Sequence, residues 1–132
     1  MFAQILGETT CGIDGVQILV EVDVSNGLPS FDLVGLPAVR ESKERVKAAL
    51  RNSDYPFPMT RITVNLAPAD LRKEGSGLDL PIAVGLMTCG RILEPEKLES
   101  KVFIGELSLD GRIRKVSGVL SMIMDAKKCG AR

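Results

Sequence analysis

From Val16 to Ser25 the chain alternates: Val16, Ile18, Val20, Val22 and Val24 fall between Gln17, Leu19, Glu21, Asp23 and Ser25. A period of two places the first set on one buried face of a strand. Phe2 to Thr10 reads as the strand before it, ended by Gly12, Asp14 and Gly15. Asn26-Gly27 is a turn signal, because both residues tolerate positive φ. Ser30 to Val34 returns as a third strand, so the pattern predicts an opening antiparallel meander.

The period then lengthens. Pro37 suits the first turn of a helix, and Val39, Val46, Ala49 and Leu50 share one face of it. Glu41 with Arg45 and Glu44 with Lys47 stand at helical pair spacing on the solvent side. Tyr55-Pro56-Phe57-Pro58 ends this helix, and Arg61 to Leu66 alternates again as a strand. Asp79 to Cys89 reads as the next helix, with Asp79 as its N-cap and its carboxylate at the positive end of the dipole. Ile82, Ala83, Val84, Leu86 and Met87 leave almost no polar face, which predicts a buried helix ended by Gly90. Beyond a loop at Glu94-Pro95-Glu96-Lys97, Lys101 to Leu109 and Arg112 to Val116 read as strands joined by the turn Asp110-Gly111. Ser117 is placed to cap a last helix whose inner face is Val119, Leu120, Ile123 and Ala126. This order predicts an α+β two-layer sandwich, with helices on one face of the sheet.

The 132 residues suit a single domain, 1–132, and the chain is 45% hydrophobic and 26% charged. Its 17 basic and 17 acidic residues cancel, so no global field holds it on nucleic acid or an anionic membrane. Cys11, Cys89 and Cys129 are too few and too widely spaced for a disulfide framework, with Cys89 and Cys129 in apolar helical surroundings. That pattern fits a reducing cytoplasm. No apolar run is long enough to span a bilayer, and MFAQILGETTCG lacks the parts of a signal peptide. The last residues, Gly130-Ala131-Arg132, lie just past a helix, as expected of a domain cut from a longer protein.

Histidine is absent, which removes Ser-His-Asp and Cys-His catalysis and the usual His-built zinc sites. The stretch VNLAPADLRKEGSGLDLP holds what chemistry remains. Ser76 between Gly75 and Gly77 is a candidate nucleophile, and Lys73 or Lys115 is the candidate base. The same glycines also serve a purely structural turn. A Gly-rich loop between strand and helix invites phosphate, but G-x-x-x-x-G-K-[ST] and G-x-G-x-x-G both fail to appear in the chain. Arg40, Lys43, Arg45, Lys47 and Arg51 crowd the first helix, with Arg72 and Lys73 elsewhere. They read either as a nucleic-acid contact or as a solvated face diluted by Glu41 and Glu44. Asp14, Asp23 and Asp32 have no metal-ligand spacing. Asp70, Arg72, Lys73 and Glu74 form a charged group that is a candidate partner surface.

VNLAPADLRKEGSGLDLPIAVGLM, followed by FIGELSLDGRIRKVSGVL, resembles the N-terminal domain of the YifB/ComM family of magnesium-chelatase-like AAA+ ATPases. The opening MFAQILGETTCGIDGVQILVEVDVSNGLPSFDLVGLPAVRESKERVKAALRNS is similar to the start of that family, so the resemblance covers the whole chain. It implies a fold like domain 2 of ribosomal protein S5, shared with the proteolytic domain of Lon protease. Lon-type proteases keep a serine in K-D-G-P-S-A-G and a lysine in G-E-I-T-L-R-G-R-V-L-P-I-G-G-L-K. Alignment with Lys73-Glu74-Gly75 puts Gly77 at the serine position, with Ser76 one residue early. Alignment from Gly105 to Arg112 puts Leu120 at the lysine position. The resemblance therefore implies a degenerate dyad and no catalytic residue here.

For the intact protein the resemblance implies an ATPase module after this domain, binding ATP and Mg, in a homo-oligomeric ring, with DNA branch migration in the ComM branch. The leading expectation for this fragment is a non-catalytic N-terminal domain with no cofactor of its own. Its partners would be its own AAA+ module and neighbouring copies, with DNA as a candidate and no membrane. It would serve ring assembly or substrate engagement. The alternatives are a Lon-like Ser-Lys peptidase using Ser76 and a DNA-contacting module using the first helix.

Overall fold

A computed structural model describes residues 1–35, 39–68 and 76–131. The elements are β1 (Phe2–Cys11), β2 (Asp14–Ser25), β3 (Ser30–Val34), α1 (Val39–Asn52), β4 (Arg61–Ala67) and α2 (Asp79–Cys89). A 3-10 turn (Pro95–Leu98) then leads to β5 (Val102–Phe103), β6 (Glu106–Leu107), β7 (Ile113–Arg114) and α3 (Val119–Lys128). The α+β expectation stands: a five-stranded mixed sheet is layered against α1 and α2.

The strand order is β3-β4-β2-β1-β5. β1 and β2 form the expected hairpin, in register from Phe2↔Asp23 to Cys11↔Asp14. The expected meander does not continue. The free edge of β2 is taken by β4, antiparallel from Leu19↔Ala67 to Ser25↔Arg61, and β3 lies beyond it, parallel to β4. Burial explains the choice: Ile62, Val64 and Leu66 of β4 are all fully buried, whereas β3 buries only Leu33. The longer and more apolar strand takes the central place.

Alternation sends Ile18, Val20 and Val22 to the α2 side, where Gly85 closes on Val22 and Gly7 on Leu78 and Pro81. As its composition predicts, α2 is buried nearly all round. The opposite face of the β1–β2 hairpin carries α3, so the placing of helices on one face holds for α1 and α2 only. A Cβ on Gly15 would stand 2.3 Å from the Ser121 carbonyl oxygen, and one on Gly118 would stand 2.8 Å from Thr10 Cγ2. Glycine is what lets α3 come this close.

Local expectations shift for identifiable reasons. The predicted strand from Lys101 to Leu109 breaks at Gly105, whose N–H donates to Gly77 and whose carbonyl accepts from Leu80. The pieces are β5 in the main sheet and β6 in a separate two-stranded sheet with β7. The Asp110-Gly111 turn holds, with Gly111 at φ +96°. The cap position of α3 is Gly118, at φ +79°, with no side-chain cap, so Ser117 does not cap it. The inner face of α3 is Met122 and Ala126, while Leu120 is 73% and Ile123 52% exposed. Cys89 is buried, but Cys129 follows α3 in solvent. Pro37 as a helix start and the side chains of Val39 and Arg40 lie outside the described residues, as do Asp70, Arg72, Lys73 and Glu74.

Candidate functional site

Asp79 was expected as an N-cap. It is instead the first residue of α2, after Leu78, and makes no capping bond. Its carboxylate turns into the seam between α1, α2 and β6. One oxygen accepts from Ser42 Oγ at 2.7 Å and from Arg45 Nη2 at 3.1 Å. The other accepts from Arg45 Nε at 2.5 Å and from the Leu107 N–H at 3.2 Å. Asp79 is 1% exposed, and a buried charge needs such a set of donors. The bond to Asp79 raises the Arg45 pKa further above its ordinary value. Arg45 is therefore committed inward, and the expected Glu41–Arg45 surface pair does not form.

With the Arg45 guanidinium turned inward, Lys43, Lys47 and Arg51 form one stripe along α1 among the described side chains. Their spacing of four advances each by about 6 Å along the axis. Lys43 Nζ stands 5.8 Å from the centre of the Phe31 ring. Lys47 Nζ and Arg51 Cζ stand 5.9 Å and 6.0 Å from the centre of Phe57. The two rings pack at 5.6 Å between centroids. Ring faces attract cations without neutralising them, so the stripe keeps its charge. The expected Glu44–Lys47 pair is not formed either. The sequence signal for this stripe is its spacing, which the count of basic residues on the helix obscures.

Ser76 and Lys115 line one cavity of about 380 Å³, with Gly77, Glu106, Ser117 and Met122. No hydrogen bond joins the Ser76 hydroxyl to the Lys115 amine. The Ser76 carbonyl accepts the Asp79 N–H at 3.2 Å, a turn into α2. Gly77 is buried behind it, and Leu120 projects to solvent from α3.

Glu8 gave no signal in the sequence. It lies on the α3 face of β1 and is 0% exposed. Neither carboxylate oxygen has a hydrogen-bond partner. Burial, with Asp125 close by, pushes its pKa from the ordinary 4.5 to about 8. Among the described residues no metal-ligand group of three side chains forms, and no helix is long and apolar enough to cross a membrane.

The sheet, its two-helix layer and the seam around Asp79 define an α+β domain with a stripe of cations on one helix. Its family is settled by comparison with known proteins. The profile of the family described as subunit ChlI of Mg-chelatase matches residues 20–132, and the chain belongs to that magnesium-chelatase-like family. It is 44% identical over 128 residues to the competence protein ComM of Haemophilus influenzae, covering 96% of this chain and 25% of that protein. It is 46% identical over 121 residues to the uncharacterized protein YifB of Salmonella typhimurium, covering 90% of this chain and 24% of that protein. For YifB of Escherichia coli the figures are 45% over 123 residues, 92% and 24%. The chain thus spans about a quarter of the length of these relatives.

Proposed function

We propose that this chain is the non-catalytic N-terminal domain of a magnesium-chelatase-like AAA+ ATPase, and that it engages DNA through α1. The family membership supports the first part. The observation that carries the second is the stripe of Lys43, Lys47 and Arg51, three cations held over aromatic rings with no carboxylate partner among the described residues. ATP and Mg belong to the part of the intact protein outside these 132 residues. This chain contains no phosphate-loop motif, and no step through a nucleotide is assigned to it. In the intact ring, the stripe would hold the phosphodiester backbone while other domains hydrolyse ATP.

The test is binding of a labelled 30-nucleotide DNA, single-stranded and duplex, by this chain at two salt concentrations. Three phosphate contacts predict a roughly 20- to 40-fold loss of affinity between 50 and 200 mM salt. The triple variant Lys43→Ala, Lys47→Ala, Arg51→Ala removes most of that dependence. Salt-insensitive binding, or binding the triple variant retains, overturns the reading.

A second reading, a Ser-Lys peptidase, draws on the cavity that Ser76 and Lys115 share. It requires the amine to reach the hydroxyl as base. Cleavage of casein by the intact protein, abolished by Ser76→Ala, is its expected outcome. Intact protein that leaves casein uncut removes it.

A further inference from the structure

The outer edge of β1 is paired with β5 only at Leu6 and Gly7. Met1 and Val24 exchange both main-chain bonds, at 2.6 Å and 2.8 Å. In an antiparallel ladder the exchanged pairs alternate. Ala3↔Val22 and Ile5↔Val20 are therefore the next bonded pairs. The N–H and C=O groups of Phe2 and Gln4 point the other way, out of the hairpin. On that side β5 is the one strand among the described residues, and it reaches only Leu6 and Gly7.

The chain ahead of β5 turns away from the edge. Ser100 takes φ +62°, a left-handed conformation unusual for a residue with a Cβ. The Lys101 N–H closes a turn onto the Leu98 carbonyl at 3.2 Å. The strand cannot run back along β1 through such a turn. Between the open edge and the 3-10 turn lies a groove of about 550 Å³, walled by Phe2, Gln4 and Leu6 on one side and Pro95, Leu98 and Glu99 on the other. That volume is within the range of formed ligand sites, about 300–1,000 Å³.

We propose that this groove is a strand-addition site for an extended peptide segment. The peptide continues the line of β5 along Phe2 to Leu6. A strand advances about 3.3 Å per residue, so the open edge takes about four residues. The ladder of Phe2 and Gln4 binds the peptide main chain, and side chains at alternate positions meet the walls. Phe2, 57% exposed, and Leu98 favour an apolar side chain. Glu99, a carboxylate on the wall, favours a basic residue beside it. The occupant is thus a short extended segment carrying both apolar and basic residues. The inference is independent of the DNA reading, because α1 contributes nothing to this groove.

The probe is a blocked Lys-Val-Ser-Val-Lys pentapeptide, titrated into the isotope-labelled chain. Binding shifts the Phe2 and Gln4 amide resonances and slows their hydrogen exchange by about tenfold or more, while Ala3 and Ile5, already bonded to β2, change little. N-methylation of the peptide at the alternate residues facing β1 weakens binding by about tenfold or more, and methylation at the other residues by less than about twofold. Phe2→Pro removes an N–H that β2 does not use, and weakens binding in the same way. Equal binding by both methylated peptides overturns the proposal, as does a shift map centred elsewhere or no shift at millimolar peptide. Concentration-dependent shifts of Phe2 and Gln4 without peptide also overturn it, because a second copy would then be the occupant.

Discussion

Two carboxylates are buried on opposite faces of the same sheet, and their surroundings could hardly differ more. Asp79, under α1, accepts four hydrogen bonds from Ser42, Arg45 and the Leu107 main chain. Glu8, under α3, accepts none and faces a second carboxylate at Asp125. Burial by itself fixes neither role. The donor set decides whether a buried acid ties elements together or resists their contact. The α1–α2–β6 seam is a fastened joint, whereas the β1–α3 seam sets a buried carboxyl group beside the Asp125 carboxylate.

The sharpest way to break this contrast is to remove the donor from Asp79. Arg45→Met keeps the apolar stem and deletes the guanidinium, leaving the carboxylate buried with only Ser42 and the Leu107 N–H. The expected loss is about 2–4 kcal/mol, discounted because the Arg45 side chain is partly exposed. Urea unfolding at pH 7 measures it. A change below about 0.5 kcal/mol would mean that the seam is held by packing alone.

Glu8 responds in the opposite direction. Its folded pKa of about 8 lies above its ordinary 4.5, so the folded state keeps a proton that the unfolded chain releases. The penalty is absent below about pH 4.5, grows between about pH 4.5 and 8, and is then constant. Wild-type stability therefore falls by up to ~1.4 kcal/mol per pH unit across that window. Glu8→Gln flattens the profile and, after the cost of a buried amide, gains about 1–2 kcal/mol at pH 8. Unfolding free energies of both chains from pH 4 to 9 decide it. Parallel profiles would show that Glu8 is ionised in the folded state.

What the sequence makes legible follows from the range of each interaction. The alternation of Val16 to Val24 and of Ile62 to Leu66 identifies strands and their buried sides, because a side chain's face is a local property. It does not identify neighbours: Ser30 to Val34 has the same pattern whether it pairs with β2 or with β4. Asp79 is legible as an acid in a first helical turn, but its partners come from α1 and β6. Glu8 is illegible because α3, from the far end of the chain, is what buries it. Ser76 is legible as a glycine-flanked serine, and the turn it makes into α2 accounts for its main chain. Lys43, Lys47 and Arg51 are legible as basic, but their rings come from β3 and from the segment before β4.

The close fit of α3 has its own test. In Gly15→Ala the new methyl would stand 2.3 Å from the Ser121 carbonyl oxygen, which is main chain and cannot rotate away. Overpacking of this kind costs about 1–3 kcal/mol. The strain falls on α3, so amide exchange accelerates in Val119 to Lys128 while α2 keeps its protection. Uniform acceleration in both helices would show instead that the two faces of the sheet unfold as one unit.

The smallest effect separates the two kinds of cation on α1. Arg45 is held by a buried carboxylate, whereas Lys47 rests over the Phe57 ring at 5.9 Å. An exposed cation over an aromatic face contributes about 0.5–1 kcal/mol. Lys47→Ala therefore lowers stability by no more than about that amount, several times less than Arg45→Met. If Lys47 serves an external polyanion, its loss weakens DNA binding roughly equally across sequences and reduces the salt slope by about 1. A stability loss above about 2 kcal/mol would place Lys47 with Arg45 as an internal fastener and leave the stripe with two free cations.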